Sequence, residues 1–172
     1  MRHLFQIELP LRQDWEAIGP LRQSVTACLK AVFRDHALCE SLAMVAGELL
    51  ENAVKYGARQ PGSDRGFALT VVGGPGGVEI EVSNPVDRAD PGFERLLAEI
   101  ARIARAPSPQ EAYLEAMRRV AISGRSGGLG LARIAHEGGC DVSASLGTDG
   151  LLRVRAITRR VTPIPPTAAP PA

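Results

Sequence analysis

The sequence predicts an α/β (α+β) fold, a two-layer sandwich in which helices cover one face of a mixed, mostly antiparallel sheet. Two β-rich segments, 67–72 and 78–83, are separated by a glycine-rich run that is typical of a β-hairpin. Two helical segments precede this hairpin, and a second pair of β-rich segments follows residue 140. Because an antiparallel sheet with one apolar face must cover that face, we expect the helices to lie on it.

The first third of the chain is predicted to contain one strand and two helices. Residues 4–9 alternate apolar and polar side chains, which predicts a strand that Pro10 closes. Apolar residues at helical spacing predict a core helix from 15 to about 33 and a second helix from about 38 to 56. Gly57 is expected to end the second helix.

The rest of the chain alternates further helices with the last strands. A helix is predicted over 93–105, and another begins at Ser108 or Pro109. The expected buried stripe of the helix over 93–105 consists of Phe93, Leu96, Leu97, Ile100 and Ile103. A glycine-rich loop then leads into a helix that ends near His136, and segments 141–146 and 151–157 are predicted to pair as a hairpin at the sheet edge.

Composition places the chain among soluble single-domain proteins. Its 172 residues are 45% hydrophobic and 23% charged, and the net charge is only +1, so nucleic acid is not expected as a partner. No segment approaches the ~20 apolar residues of a membrane span, and the N-terminus lacks the apolar core of a signal peptide, which predicts a cytoplasmic location. The three cysteines, Cys28, Cys39 and Cys140, are too few and too widely spaced for a zinc cluster and are expected to be small core residues.

The last residues differ in composition from the rest of the chain. Residues 161–172 are nearly all proline, alanine and threonine, which cannot bury enough apolar surface to become ordered. The predicted organisation is therefore one domain over 1–160 followed by a disordered tail or small docking peptide.

The second predicted helix carries three polar residues on one face. Glu48, Asn52 and Lys55 are spaced by four and three residues, so their side chains project together. A carboxylate there can accept a proton, an amide oxygen can ligate Mg²⁺, and an ammonium group can meet a phosphate. A solvated helix face with this spacing by chance is the alternative.

A second phosphate-directed element lies about eighty residues further along the chain. Three glycines in four residues precede a helix, at Gly127, Gly128, Leu129 and Gly130. Glycines allow the backbone to approach phosphate oxygens, and the start of the helix presents free N–H groups. A tight turn before a helix is the structural alternative, and Arg125 is a candidate phosphate neighbour.

These two motifs resemble a known family. The segment Glu-Leu-Leu-Glu-Asn-Ala at 48–53 resembles the N box, and Gly-Gly-Leu-Gly-Leu at 127–131 resembles the second glycine box, of the GHKL (histidine-kinase-like) ATPases. The resemblance covers residues 1–158 and implies the Bergerat-type ATP-binding fold, ATP and Mg²⁺ as cofactors, Glu48 as the catalytic base and Asn52 as the Mg²⁺ ligand.

One position departs from the family pattern. Asn84 occupies the place of an aspartate that in these proteins recognises the adenine amino group, and no Gly-x-Gly follows it. An amide oxygen can still accept one hydrogen bond but brings no negative charge. The chain also resembles the SiaB-like regulatory kinases. The resemblance lies in the order of three features, which are the Asn-Pro pair at 84–85, the two helices that follow it, and the glycine box.

Two functions from different classes follow. The resemblance implies an ATP- and Mg²⁺-dependent serine/threonine protein kinase of the anti-sigma-factor type, which phosphorylates a STAS-like antagonist while a PP2C-like phosphatase reverses the reaction. Asn84 favours the alternative, a catalytically degenerate module that binds a sigma factor or antagonist without turnover. A homodimer is common in this family.

Overall fold

A computed structural model of the chain describes residues 5–11, 15–57, 67–74, 77–124 and 128–158. The strands in these ranges are β1 (Phe5–Leu11), β2 (Phe67–Gly74), β3 (Gly77–Pro85), β4 (Cys140–Leu146) and β5 (Leu151–Thr158). The helices are α1 (Trp15–Val32), α2 (His36–Tyr56), α3 (Pro91–Arg105), α4 (Pro109–Ser123) and α5 (Leu129–His136). The predicted tail and Gly127 lie outside the described residues.

The five strands form one sheet in the order β1-β2-β3-β5-β4. Every pairing between the described strands is antiparallel. Both predicted hairpins are present, since β2 pairs with β3 up to Gly74 opposite Gly77, and β4 pairs with β5. The β4 strand lies at the edge, as expected, whereas β5 is inserted between β3 and β4.

One face of the sheet is apolar and covered by helices. In β3 the side chains of Val78, Ile80 and Val82 are buried, while the alternate residues Glu79 and Glu81 are only partly buried. The β3 strand contacts α2, and β4 contacts α3 and α5. The sandwich predicted from the sequence, with helices on one face of the sheet, is therefore confirmed.

The strand β1 continues through Pro10, whereas the sequence predicted that this residue would close it. Pro10 lies opposite Ala68 of β2, and β1 has a strand neighbour on one side only. Proline lacks a backbone N–H, which an edge strand tolerates because one row of its backbone groups faces away from the sheet.

Two predictions about individual positions are wrong. Cys28 is exposed on α1, although Cys39 and Cys140 are buried as expected. On α3 the predicted stripe residue Leu97 is 38% exposed, whereas Glu99 of the same helix is buried at 5% exposure. The other predicted stripe residues pack in or against the core: Phe93, Leu96, Ile100 and Ile103.

Side-chain caps define where three helices begin. Asp35 accepts a hydrogen bond from the backbone N–H of Leu38, which starts α2 two residues earlier than predicted. Asp90 and Ser108 cap α3 and α4 in the same way, each followed by proline at the start of the helix. These caps set the positions of the helices that surround the candidate site.

Candidate functional site

The α2 and α5 helices meet at Gly130. A methyl group added to Gly130 would overlap Oε2 of Glu48 and would lie 3.9 Å from Nδ2 of Asn52. Only glycine fits this approach without displacing the Glu48 carboxylate. The structure thus brings together the two motifs that the sequence singled out.

Glu48 lies at the boundary between this contact and solvent. Its side chain is 19% exposed, and Oε1 accepts a hydrogen bond from Nη1 of Arg133 at 3.2 Å. Burial raises the pKa of the Glu48 carboxyl above its ordinary value, and the negative charge of Glu51 raises it further, while Arg133 acts against both. A carboxylate with a raised pKa is a stronger base at neutral pH.

Arg133 connects Glu48 to the end of α5. Its Nε donates to Oε2 of Glu137 at 2.8 Å, and Arg133 and Tyr113 both lower the pKa of the Glu137 carboxyl. The Tyr113 ring stacks on His136, with the ring centroids 5.3 Å apart. The orientation of the guanidinium that meets Glu48 is thereby tied to the end of α5.

Asn52 contains a polar atom that lacks a protein partner. Its Nδ2 is buried and makes no hydrogen bond within the described part of the chain. An unpaired buried donor or acceptor costs about 1–3 kcal/mol, and such groups often mark a site that a ligand completes. Asn52 also lines a large cavity, so a ligand bound in that cavity could supply the missing hydrogen-bond partner.

The cavity lies among α2, α3, α4 and the start of α5, with a volume of about 920 Å³. Its lining includes four cationic side chains and one carboxylate: Lys55, Arg95, Arg102, Arg119 and Glu99. Apolar residues such as Leu96, Val120 and Leu131 form other parts of the wall. A cavity of this size with an excess of positive charge suits an anionic ligand with an apolar or aromatic portion.

The cationic residues differ in how they are held. Lys55 is exposed, and its Nζ lies 5.2 Å from the centroid of the Tyr56 ring, where the ring face attracts a cation. Arg119 donates through Nη2 to Glu99, whereas its Nη1 is buried without a hydrogen-bond partner among the described residues. Both unpaired buried atoms, on Asn52 and Arg119, thus belong to residues that line the same cavity.

Residues of the glycine box contribute differently. Gly128 caps the N-terminus of α5 with a φ of +90°, a conformation that favours glycine, and it lines the cavity. No side chain caps α5 at this position, so the first N–H groups of the helix lack that acceptor. Leu129 is the first residue of α5 and is half-buried. Gly127 and Arg125 lie outside the described residues.

Asn84 lies in β3, 1% exposed, and its Nδ2 donates to the carbonyl oxygen of Pro85 at 3.1 Å. It is not among the described residues that line the cavity. Its predicted contact with an adenine amino group remains a prediction.

The predicted site residues fit a magnesium nucleotide in their chemistry. The part of the chain that the structure describes contains no cluster of three or more histidine, cysteine or acidic side chains for a metal. Mg²⁺ commonly takes one or two protein ligands and completes its shell with phosphate oxygens and water. The amide oxygen of Asn52 is of the type that could make that limited protein contribution, whereas its unpaired Nδ2 is a donor and suits a ligand oxygen.

Sequence reasoning missed Glu99, Arg102 and Arg119. Glu99 accepts hydrogen bonds from both arginines, and one of them lies on the next helix. The only local signal was an acid within the apolar stripe of α3 and an arginine three residues later. That spacing is also common on solvated helix faces, so it could not identify a buried cluster.

Comparison with known proteins supports the fold. No protein-family model matches the sequence, and no curated protein matches it. The structure is similar to a chain in the crystal structure of the SiaB–SiaC complex from Pseudomonas aeruginosa, with a TM-score of 0.65. The two are 19% identical, and the similarity covers 91% of this chain and 89% of that chain. At this identity the similarity establishes a shared fold.

The described helices also bear on membrane insertion. None of them combines the length and apolar character required to cross a bilayer.

Proposed function

We propose that this chain is an ATP- and Mg²⁺-dependent serine/threonine protein kinase of a partner-switching system. The observation that carries the proposal is the approach of Glu48 to Gly130, with Asn52 next to them and in the wall of a cavity that four cationic side chains also line. A base, a metal ligand and a phosphate-facing glycine box are the components that phosphoryl transfer requires in one place.

Nucleotide binding is assigned to residues of α2, α4 and the start of α5. Asn52 would hold Mg²⁺ through its amide oxygen, and Gly128 and Gly130 would let the backbone approach the phosphates. Lys55 and Arg119 line the cavity and supply positive charge toward the same groups. When bound, Mg²⁺ neutralises part of the negative charge of the transferring phosphate.

Glu48 is assigned the role of general base. Its carboxylate accepts the proton of the substrate hydroxyl as that oxygen bonds to the terminal phosphorus and the bond from phosphorus to the ADP oxygen breaks. Partial burial raises the Glu48 pKa, which favours proton acceptance. Arg133 holds the carboxylate toward α5 and so orients it.

A protein substrate is proposed from the family resemblance and the structural neighbour. The similar solved chain belongs to a complex of two proteins, which supports a protein partner for this chain as well. The resemblance to anti-sigma-factor kinases specifies a STAS-like antagonist as the phosphate acceptor, with a PP2C-like phosphatase acting in the opposite direction. A cytoplasmic location belongs to the same proposal.

The test combines nucleotide binding with phosphoryl transfer. Calorimetry with ATP, in the presence and absence of Mg²⁺, should show binding that depends on the metal. A candidate STAS-like protein is then incubated with this chain and labelled ATP, and a phosphoserine or phosphothreonine should form. Binding that a chelator leaves unchanged would remove Asn52 from its metal role.

A second function is favoured by one specific observation. Asn84 stands where the family carries an aspartate, so it offers the adenine amino group an amide oxygen without a negative charge. A degenerate module would bind its protein partner without turning over ATP. Partner capture by the chain together with no transfer under any nucleotide condition would establish this alternative and exclude the kinase.

A further inference from the structure

A carboxylate lies between two arginines in the cavity wall. Oε2 of Glu99 accepts a hydrogen bond from Nη1 of Arg102 at 2.7 Å, and Oε1 accepts one from Nη2 of Arg119 at 2.5 Å. The Glu99 side chain is only 7% exposed. Two guanidinium groups that converge on one small anion form an arrangement that also suits a phosphate group.

The same carboxylate lies against the glycine box. A Cβ atom on Gly128 would be 2.9 Å from Cδ of Glu99 and 3.1 Å from its Oε2. Gly128 is the residue that precedes the first turn of α5, where phosphate contact was expected from the sequence. Any anion that reaches this glycine from the cavity therefore meets the Glu99 carboxylate.

The surroundings favour a larger anion than one carboxylate. Among the described residues that line the cavity, the charged ones apart from Glu99 are all cations: Lys55, Arg95, Arg102 and Arg119. Nη1 of Arg119 is buried and has no acceptor in the described part of the chain, while Nη2 of the same group is engaged. A phosphate group has three terminal oxygens and more negative charge, so it can use donors that Glu99 leaves unpaired.

We infer that Glu99 is an internal competitor for a phosphate-binding position formed by Arg102, Arg119 and Gly128. In the free chain the Glu99 carboxylate occupies the position, and a phosphate group must displace it to reach both arginines. Glu99 thereby lowers the affinity for the anion and keeps the arginines in place for it. The identification of the anion as a nucleotide phosphate rests on the proposed function, whereas the position itself does not.

The test measures anion affinity in a variant that lacks the competing charge. Calorimetry with inorganic tripolyphosphate and, separately, with ATP and Mg²⁺ compares the natural chain with Glu99→Gln. Glutamine keeps the length of the side chain but is a neutral and weaker acceptor, so tripolyphosphate should bind about tenfold more tightly. Arg119→Gln should weaken tripolyphosphate binding by a similar factor.

A matched control separates competition from a general charge effect. Glu94→Gln removes one negative charge from an exposed position in the first turn of α3, outside the cavity lining. It should leave the affinity for tripolyphosphate within about twofold of the natural value, because exposed charges at a distance are screened. Thermal unfolding of each variant establishes that it is folded. If Glu99→Gln does not fold, Glu99→Asp replaces it and should show a smaller gain, since the shorter side chain reaches the arginines less well.

The outcomes distinguish this inference from the proposed function. Equal or weaker tripolyphosphate binding by Glu99→Gln, or no binding by either chain, overturns the inference. In that case the hydrogen bonds of Glu99 with Arg102 and Arg119 serve only to hold α3 against α4. Tighter tripolyphosphate binding without ATP binding supports the inference and removes the nucleotide from the proposed function. If Glu99→Gln binds tripolyphosphate more tightly but leaves ATP binding and transfer unaffected, the kinase proposal and the position both stand, and the identification of the anion as the nucleotide phosphate is overturned.

Discussion

Glu48 of α2 and Gly130 of α5 are in direct contact, although 82 residues separate them along the chain. A side chain at position 130 would occupy the space of the Glu48 carboxylate. The two sequence motifs therefore form one site, and the size of residue 130 determines where the carboxylate of Glu48 can lie.

Replacement of Gly130 by alanine tests this relationship. The overlapping atom is at the end of a flexible side chain, so Glu48 can turn away, and the free energy of unfolding should change by less than about 1 kcal/mol. Phosphoryl transfer to the proposed STAS-like substrate should fall by roughly tenfold to a hundredfold, because the proposed base is displaced. Urea denaturation and a transfer assay measure the two effects.

Gly19 offers a matched control for that substitution. It lies in α1 directly before Pro20, and a Cβ at this position would meet nothing within 4 Å apart from its two chain neighbours. Gly19→Ala should leave transfer unchanged, while the gain in helix propensity and the crowding of the new Cβ against the Pro20 ring act on the free energy of unfolding in opposite directions. Equal losses of transfer in both alanine variants would contradict a specific role for Gly130.

Glu48→Gln separates chemistry from binding. Glutamine keeps the length of the side chain, so ATP and partner binding should stay within about threefold, while transfer should fall by roughly a hundredfold or more. Glu51→Gln removes an exposed acid one turn along the same helix and is the control. Retained transfer in Glu48→Gln and its loss in Glu51→Gln would reassign the base to Glu51.

Asn52→Ala should behave differently from Glu48→Gln. It removes the proposed Mg²⁺ ligand, so nucleotide affinity and transfer should decrease together, each by about tenfold or more. Because the Nδ2 atom of Asn52 is buried without a partner among the described residues, its loss should not reduce the free energy of unfolding through a broken protein hydrogen bond. Unchanged nucleotide affinity would contradict the assignment.

The pH dependence of transfer should respond to two neighbours of Glu48 in opposite directions. A base works when deprotonated, so the rate falls as pH drops through the Glu48 pKa. Arg133 lowers that pKa, and Arg133→Gln should therefore move the acid limb of the profile to higher pH. Glu51 raises it, and Glu51→Gln should move the limb to lower pH.

The negative charge of Glu137 also raises the pKa of Glu48. In Arg133→Gln this charge is no longer paired with the guanidinium group, so Glu137 adds to the rise in the Glu48 pKa that the loss of Arg133 causes. Profiles of both variants that coincide with that of the natural chain would show that the titrating base is not Glu48.

Asn84→Asp should affect nucleotide affinity and stability in opposite directions. A carboxylate accepts a hydrogen bond from an amine more strongly than an amide does, so ATP affinity should rise if this position meets adenine. The buried Asn84 amide donates to Pro85, however, and an aspartate cannot replace that donor, so unfolding should become easier by about 1–3 kcal/mol. Reduced affinity for ATP would mean that Asn84 has no adenine contact.

Local features of the sequence predicted most of the secondary structure. Periods of two and of 3.6 residues are properties of short segments, so both hairpins and the helices were predicted with boundaries close to those observed. The spacing of Glu48 and Asn52 likewise placed both residues on one helix face before any fold was known. The glycine-rich loop ahead of α5 was recognisable for the same reason.

Tertiary structure alone decided three features. Pro10 remains within β1 because that strand lies at the sheet edge, and only the strand order shows this. The approach of Gly130 to Glu48 depends on how α5 packs on α2. Glu99 is buried because an arginine twenty residues away pairs with it from α4, and the free energy of burying a charge depends on its partner in space and not on its neighbours in sequence.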